Sequence, residues 1–315
     1  MDTVTHRTDI VFLGSGAFGV PTLEHLARTH RVRAVVSQPD RPAGRGKKLA
    51  PNPVAAFARK HLSEVPLFQP PSVNEPGVRE QIRAVPAQAW VVIAFGQKLS
   101  QPLLEDRFAI NLHASLLPRW RGAAPIHHAL LAGDAQTGNS VITLAERMDA
   151  GLVLGRSARP IERTQTTGEL HDLLAADGPE LVEGVLRAHA GGTLDPREQD
   201  ESAVTLAGKL GRADGVLDLG AGAEACRRRI NAMSPWPGVS ITLAGDRLKL
   251  LRADAQEDDD DGGAPPGTLI DPAGGRIVTG AGTLVLLDVQ PAGKRPMPWS
   301  DYARGRALRG ATIEP

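Results

Sequence analysis

Ile10-Val11-Phe12-Leu13-Gly14-Ser15-Gly16-Ala17-Phe18-Gly19 carries four consecutive apolar residues into a glycine-rich turn. A strand wetted on one face would alternate apolar and polar side chains. An unbroken apolar run closed by glycine predicts instead a strand buried on both faces that ends in a tight turn. Pro21-Thr22-Leu23-Glu24-His25-Leu26-Ala27 follows with apolar residues at helical spacing, so the unit reads strand, turn, helix. The same pattern recurs outward from it. Val32–Val36, Trp90–Ala94 and Phe108–Leu112 are further apolar strands, and helices are predicted between them over Val54–His61 and Val78–Ala84. Helices alternating with continuous apolar strands predict an α/β fold with a Rossmann-like parallel sheet covered on both faces.

From Thr137 the character of the sequence changes. Ser140-Val141-Ile142-Thr143-Leu144 alternates polar and apolar residues, which predicts a half-buried strand. A long amphipathic helix follows over 168–188, with Leu170, Leu173, Leu174, Leu181, Val182, Val185 and Leu186 on one stripe. The polar, glycine-bearing stretch from Gly191 reads as a linker. The expected division is a first domain over 1–190, a linker over 191–205 and a second domain over 206–315. In the last, helix Ala223–Met233 precedes short strands at 239–243, 247–251, 267–270, 276–279 and 283–289, the pattern of a small β-barrel or β-sheet domain. The acidic run at 257–261 between two of these strands reads as a solvated loop.

Composition agrees with this plan and narrows the classes of function. The chain has 315 residues, more than one core usually holds, which is about 250–300. Aromatics are only 3%, so the core must come from Val, Leu, Ile and Ala. The formal net charge is zero, so a nucleic-acid partner can be read only from local basic patches. A single cysteine, Cys226, cannot form an internal disulfide and suits a reducing cytoplasm. The N-terminal residues lack the pattern of a signal peptide, and no apolar run reaches the roughly 20 residues that span a bilayer. A cytoplasmic monomer without membrane contact is expected. His127-His128 are adjacent, which suits no simple tetrahedral metal site, so no metal is expected.

Gly14, Gly16 and Gly19 spell a dinucleotide-binding fingerprint in the right strand-to-helix context. The acidic residue that would hold a ribose is Asp40, but it opens a basic loop where Arg41 and Arg45 compete for it. The glycines read better as a tight turn than as a nicotinamide site.

The stronger constellation lies at Asn111 and His113. Two residues apart near a strand end, they point to the same side of the strand. Open α/β sheets place ligands at the carboxyl ends of their strands. An amide N–H beside a cationic imidazole can stabilise a carbonyl oxygen that becomes an oxyanion. A histidine working as a cation needs a carboxylate neighbour. Met148-Asp149-Ala150-Gly151 offers one on a turn.

The stretch Asn111-Leu112-His113-Ala114-Ser115-Leu116-Leu117-Pro118 resembles the signature of the folate-dependent formyltransferase family. Its continuation, Arg119-Trp120-Arg121-Gly122-Ala123-Ala124-Pro125-Ile126, resembles the tRNA-specific members, as does the basic loop from Ser37 to Lys48. Asn231 to Pro237 and Gln290 to Arg295 resemble stretches of their C-terminal OB-like domain. The resemblance implies catalytic roles for Asn111 and His113 and for an Asp on a later loop. The family often reads Met-Asp-x-Gly-Leu-Asp-Thr-Gly there, with the second Asp catalytic. A literal alignment would put Val153 in that place; pairing Met148–Gly151 with Leu-Asp-Thr-Gly keeps a carboxylate and assigns Asp149. The sequence also departs at Leu13-Gly14-Ser15-Gly16-Ala17, where the family usually has Phe-Ala-Gly-Thr-Pro, and at Ala114, where Gly is common.

The implied donor is 10-formyltetrahydrofolate and the implied acceptor is the α-amine of initiator methionyl-tRNA. Family analogy puts the folate against Phe95, Gly96, Gln97, Lys98 and Leu99, with Ser115, Leu116, Leu117 and Pro118 completing the substrate site. Charge adds a tRNA reading: Arg41, Arg45, Lys47 and Lys48 crowd one loop, and Arg227-Arg228-Arg229, Lys294 and Arg295 form a second basic set. Arg228 and Lys294 are the expected contacts in the C-terminal domain, the expected tRNA-binding domain. The competing readings are a formyltransferase acting on a small amine, such as an amino-sugar nucleotide, and a non-catalytic RNA-binding module.

Overall fold

The structure is a computed structural model that describes residues 7–43, 46, 48–257, 263–308 and 311–314. Arg45 and Lys47 of the basic loop and residues 258–261 of the acidic run lie outside the described residues.

The chain forms two compact units. One comprises 1–121, 138–158 and 172–205; the other comprises 122–137, 159–171 and 206–315. The first holds strands β1 (Asp9–Gly14), β2 (Arg31–Val36), β3 (Leu67–Phe68), β4 (Ala89–Ile93) and β5 (Ala109–His113). Strands β6 (Gln136–Thr143) and β7 (Val153–Pro160) complete a seven-stranded sheet in the order β7-β6-β5-β4-β1-β2-β3. Neighbours from β3 to β5 run parallel, and β6 joins β5 antiparallel. The sheet is therefore Rossmann-like with a mixed edge.

The apolar runs explain the layering. In β1, residues Ile10 to Leu13 are all fully buried, because helices cover both faces. Val11 and Leu13 pack on one side with Val36, Trp90 and Val92. The covering helices include α1 (Val20–Thr29), α2 (Pro53–His61) and α3 (Pro76–Arg83). Each begins with Pro in its first turn, where a missing N–H costs nothing. Helix α2 is capped by Asn52, which accepts from the Ala55 N–H at 3.0 Å.

Strand β6 differs from expectation. Residues 137–142 are buried without a break, although Thr137, Asn139 and Ser140 are polar. A half-buried strand would turn these to water. Here Asn139 and Ser140 are engaged inside: Asn139 donates to the Leu174 carbonyl at 2.8 Å, and Ser140 ties a neighbouring loop. Alternation in sequence thus marks internal hydrogen bonding rather than a wet face. The edge strand β7 and the two-residue strand β3 carry too little apolar periodicity to be foreseen.

The second unit holds helix α4 (Pro125–Ala132) and helix α6 (Ala223–Met233); between them in sequence, α5 (Thr167–Ala190) runs from the second unit into the first. Its sheet comprises β8 (Val239–Leu243), β9 (Asp246–Gln256), β10 (Leu269–Asp271), β11 (Arg276–Val278), β12 (Thr283–Pro291) and β13 (Ile313–Glu314). They pair antiparallel in the order β10-β11-β12-β9-β8-β13, and a seventh, two-residue strand, Met297–Pro298, also pairs antiparallel with β12, an OB-like arrangement. Helix α6 turns Cys226, Ile230 and Met233 onto this sheet, where they meet Leu248, Leu250 and Val289. Burial pushes the Cys226 thiol up to about 11, as expected of an inert packing residue.

Candidate active site

Register brings the carboxyl ends of the parallel strands level. Gly14 pairs with Ile93, Leu13 with Val36, and Val92 with Asn111. Asn111 and His113 close β5 at this edge, the first half-buried and the second buried. The loop after Ile93 starts beside them. Gly14 has no room for a side chain: a Cβ would lie 2.6 Å from the Phe12 ring and 2.9 Å from the Ile93 carbonyl. The first glycine of the fingerprint therefore lets neighbouring strands and turn close up. Asp40 is held by Arg59 at 2.9 Å and Gln69 at 2.8 Å, and the Arg59 guanidinium lowers its carboxyl pKa. Both facts fit a structural turn.

The His113 ring is held between two acceptors. The Trp120 carbonyl accepts from Nε2 at 2.9 Å, so Nε2 carries a proton. Asp149 Oδ2 faces Nδ1 at 3.6 Å. Asp149 sits on the loop between β6 and β7, with a left-handed backbone of φ +54°. That region is uncommon for non-glycine residues and best tolerated by Asn and Asp. Gly151 allows the loop to press on β6, because a Cβ there would lie 1.7 Å from the Thr143 carbonyl. Val153, the alternative in a literal alignment, lies in β7 and is buried.

The residues after His113 form a loop bound from within. Ser115 is fully buried and donates to the Arg119 carbonyl at 2.6 Å. Ser140 Oγ donates to the Ser115 carbonyl at 2.7 Å and accepts from the Leu117 N–H at 3.1 Å. Arg156 donates to the Leu117 carbonyl. Leu117 packs on Ile142 and Val153, while Leu116 and Pro118 are half-buried. Ser115 and Leu117 thus shape the loop from inside.

Beyond β4, Phe95 is buried in the core, and its carbonyl accepts from Ser15 Oγ at 3.1 Å and Gln38 Nε2 at 3.3 Å. Gln97 accepts from the Val73 N–H at 2.9 Å and donates to the Pro70 carbonyl at 3.1 Å. Leu99 packs against the core cluster of this sheet. Gly96 is exposed, with φ +81°, and Lys98 is exposed too, its carbonyl accepting from Asn74 at 2.8 Å.

Of the basic residues, Arg41 and Lys48 are exposed on two short antiparallel strands, Arg41–Ala43 and Lys48–Ala50. Arg41 donates to Gln38 at 3.2 Å. Lys294 is exposed in a turn after β12. The three arginines of α6 have structural partners. Arg227 is buried against Glu224, Arg228 donates to Glu224 at 2.7 Å and to the Ala132 carbonyl at 3.0 Å, and Arg229 donates to the Asp214 carbonyl at 2.9 Å. The hydrogen bonds from Arg227, joined by those from Arg228, pull the Glu224 carboxyl down to about 2.

The sequence does not single out Trp120, Ser140, Arg156 or Gln199, which acts on the Asp149 loop. The first three contribute a carbonyl, a hydroxyl or a guanidinium to a contact with another segment, and no spacing rule reveals that. Among the described residues, no group of three or more His, Cys, Asp or Glu could hold a metal ion, and no helix is long and apolar enough to cross a membrane.

Residues 8–186 match the model of the formyl transferase family, and residues 209–307 match that of the formyl transferase C-terminal domain. The chain is 43% identical to a methionyl-tRNA formyltransferase of Methylococcus capsulatus over 308 residues, covering 96% of this chain and 99% of that protein. It is 40% identical to the methionyl-tRNA formyltransferase of Thiobacillus denitrificans, covering 96% and 98%. Among solved structures, an N-formyltransferase of Helicobacter canadensis, crystallised with folinic acid and dTDP-3-aminofucose, shares the fold with a TM-score of 0.68 at 12% identity, covering 90% of this chain and 99% of that one. With its Asn-x-His-x-Ser-Leu-Leu-Pro motif at the carboxyl edge of the sheet and both domains matched in order, the chain belongs to the formyl transferase family.

Proposed function

We propose that the protein transfers the formyl group of 10-formyltetrahydrofolate to the α-amine of methionyl-tRNA. The observation that carries this reading is the full-length similarity to proteins of that name, at 43% and 40% identity. The placement of Asn111, His113 and Asp149 at one strand edge is consistent with it.

In the proposed reaction the uncharged amine attacks the formyl carbon. A C–N bond forms, and negative charge gathers on the formyl oxygen. The Asn111 amide and the His113 Nε2–H are the donors for that oxygen, which would share or take over the bond now accepted by the Trp120 carbonyl. Asp149, on the Nδ1 side, orients the ring. The bond from the formyl carbon to N10 of the folate then breaks. The proton lost by the amine reaches N10, by way of Asp149 or water. The products are formylmethionyl-tRNA and tetrahydrofolate.

The folate lies against 95–99 and 115–118 in this reading. The exposed backbone at Gly96 supports it, with Phe95 and Gln97 shaping the loop from inside. Arg41, Arg45, Lys47 and Lys48 contact tRNA phosphates, as do Arg228 and Lys294. The exposure of Arg41, Lys48 and Lys294 supports the assignment; Arg228 would have to act from within its bonds to Glu224 and Ala132. Catalysis belongs to 1–190 and further tRNA binding to 206–315, a division supported by family matches at 8–186 and 209–307. We take the protein to act as a cytoplasmic monomer.

Release of tetrahydrofolate on mixing the protein with 10-formyltetrahydrofolate and methionyl-tRNA is the deciding assay. Turnover with an amino-sugar nucleotide but not with methionyl-tRNA would overturn this reading.

A further inference from the structure

The Asp149 loop is poorly anchored by burial. Residues 145–148 are exposed, and Met148 stands 71% open to solvent. Asp149 itself adopts a left-handed backbone, which an isolated loop would not keep. A second segment grips it. Gln199 Nε2 donates to the Asp149 carbonyl at 2.7 Å and to the Gly151 carbonyl at 2.8 Å. Its Oε1 accepts from Arg121 Nε at 3.0 Å and Nη2 at 2.9 Å. A guanidinium only donates and a carbonyl only accepts, so these partners leave one orientation for the amide. Arg121 is 5% exposed and also binds Glu201 at 2.9 Å; Glu201 reaches Arg147, at the start of the same loop, at 3.0 Å. Arg197 and Val153 exchange backbone bonds at 2.8 and 2.9 Å, aligning the two segments.

We propose that Gln199 is a positioning residue of the reaction: oriented by Arg121, it holds the backbone carbonyls of Asp149 and Gly151 so that the Asp149 carboxylate faces His113. This rests on the assignment of Asp149 to the site. It also gives Arg121 of the Arg-Trp-Arg-Gly stretch a task that needs no contact with substrate.

Gln199→Glu is the diagnostic variant. It keeps the acceptor for Arg121 and the size of the side chain, but it sets a carboxylate oxygen against two carbonyls in place of a donor. The expected result is a fall in kcat of about 10- to 100-fold, from a misplaced catalytic group, with KM for folate and tRNA little changed. Amide exchange at residues 148–152 should quicken while the melting temperature stays close to the parent's. In an Asp149→Ala background, Gln199→Glu should lower kcat no further, whereas a merely structural role would lower it again. Normal kcat and unchanged exchange in Gln199→Glu, with Asp149→Ala inactive, would overturn the clamp alone. Full activity in Asp149→Ala would overturn the reading of Asp149, and the clamp's catalytic role with it.

Discussion

Asn111 and His113 read as a pair because both the chain and the register constrain them. Period-2 geometry puts them on one side of a strand, and pairing with Val92 sets that strand end beside the loop after β4. Asn111→Ala should reduce kcat by about 10²–10³-fold, the usual effect of removing one oxyanion donor, with folate binding by fluorescence titration retained. Asp149→Asn keeps the shape of the side chain and removes its charge. It should abolish most turnover while leaving folate affinity in place, and near-normal single-turnover rates would move the carboxylate role elsewhere. The motif by itself makes Asn111 and His113 legible in the sequence. Asp149 is legible only as one of two alignments, because a loop has no periodicity to fix which of its residues faces a partner. The Trp120 carbonyl on His113 is not legible at all, since every residue carries such a group.

At the scale of elements, β6 carries the clearest lesson. Thr137, Asn139 and Ser140 are as buried as its apolar residues, and Ser140 closes two backbone groups of the signature loop. Ser140→Ala leaves the Leu117 N–H and the Ser115 carbonyl without that partner in a buried site. A destabilisation of about 1–3 kcal/mol is expected, read as a lower urea midpoint, together with a raised KM for folate as the loop loosens. The short strands around Gly46 pose the opposite case. There the basic residues are described only at Arg41 and Lys48, both exposed. Neutralising Arg41, Arg45, Lys47 and Lys48 together should raise KM for tRNA and flatten its salt dependence, by a log–log slope of about 0.7–0.9 per lost phosphate contact. Unchanged tRNA kinetics across a salt series would remove this loop from the interface. The basic set on α6 is different in kind, because Arg227 and Arg228 bind Glu224. A run of like charge in sequence does not reveal the acid one helical turn away that pairs with it.

At the scale of the whole molecule, acid sensitivity has a definite source in the second unit, where the Glu224 carboxyl is held near 2 against an ordinary 4.5. A carboxylate depressed on folding contributes stability above its unfolded pKa, and loses that contribution as pH falls through the folded value. Between about 4.5 and 2 the melting temperature of the parent should therefore fall more steeply than that of Glu224→Gln, as measured by scanning calorimetry. Parallel curves would mean that the ion pairs of α6 contribute nothing to acid sensitivity. Sequence alone determined the α/β sheet, the later run of short strands, and the strand-end pair Asn111 and His113. Each of these follows from local rules: apolar periodicity sets which faces are buried, and period 2 sets which side chains share a side. Tertiary structure alone decided that Ser140 and Asn139 turn inward and that Asp149 faces His113 under the grip of Gln199. The physical reason is that the hydrogen bonds of Ser140 and Gln199 join segments 23 to 78 residues apart in the chain. Hydrogen bonds at such separations form wherever packing brings donor and acceptor within reach, and no local pattern of residues encodes the partner.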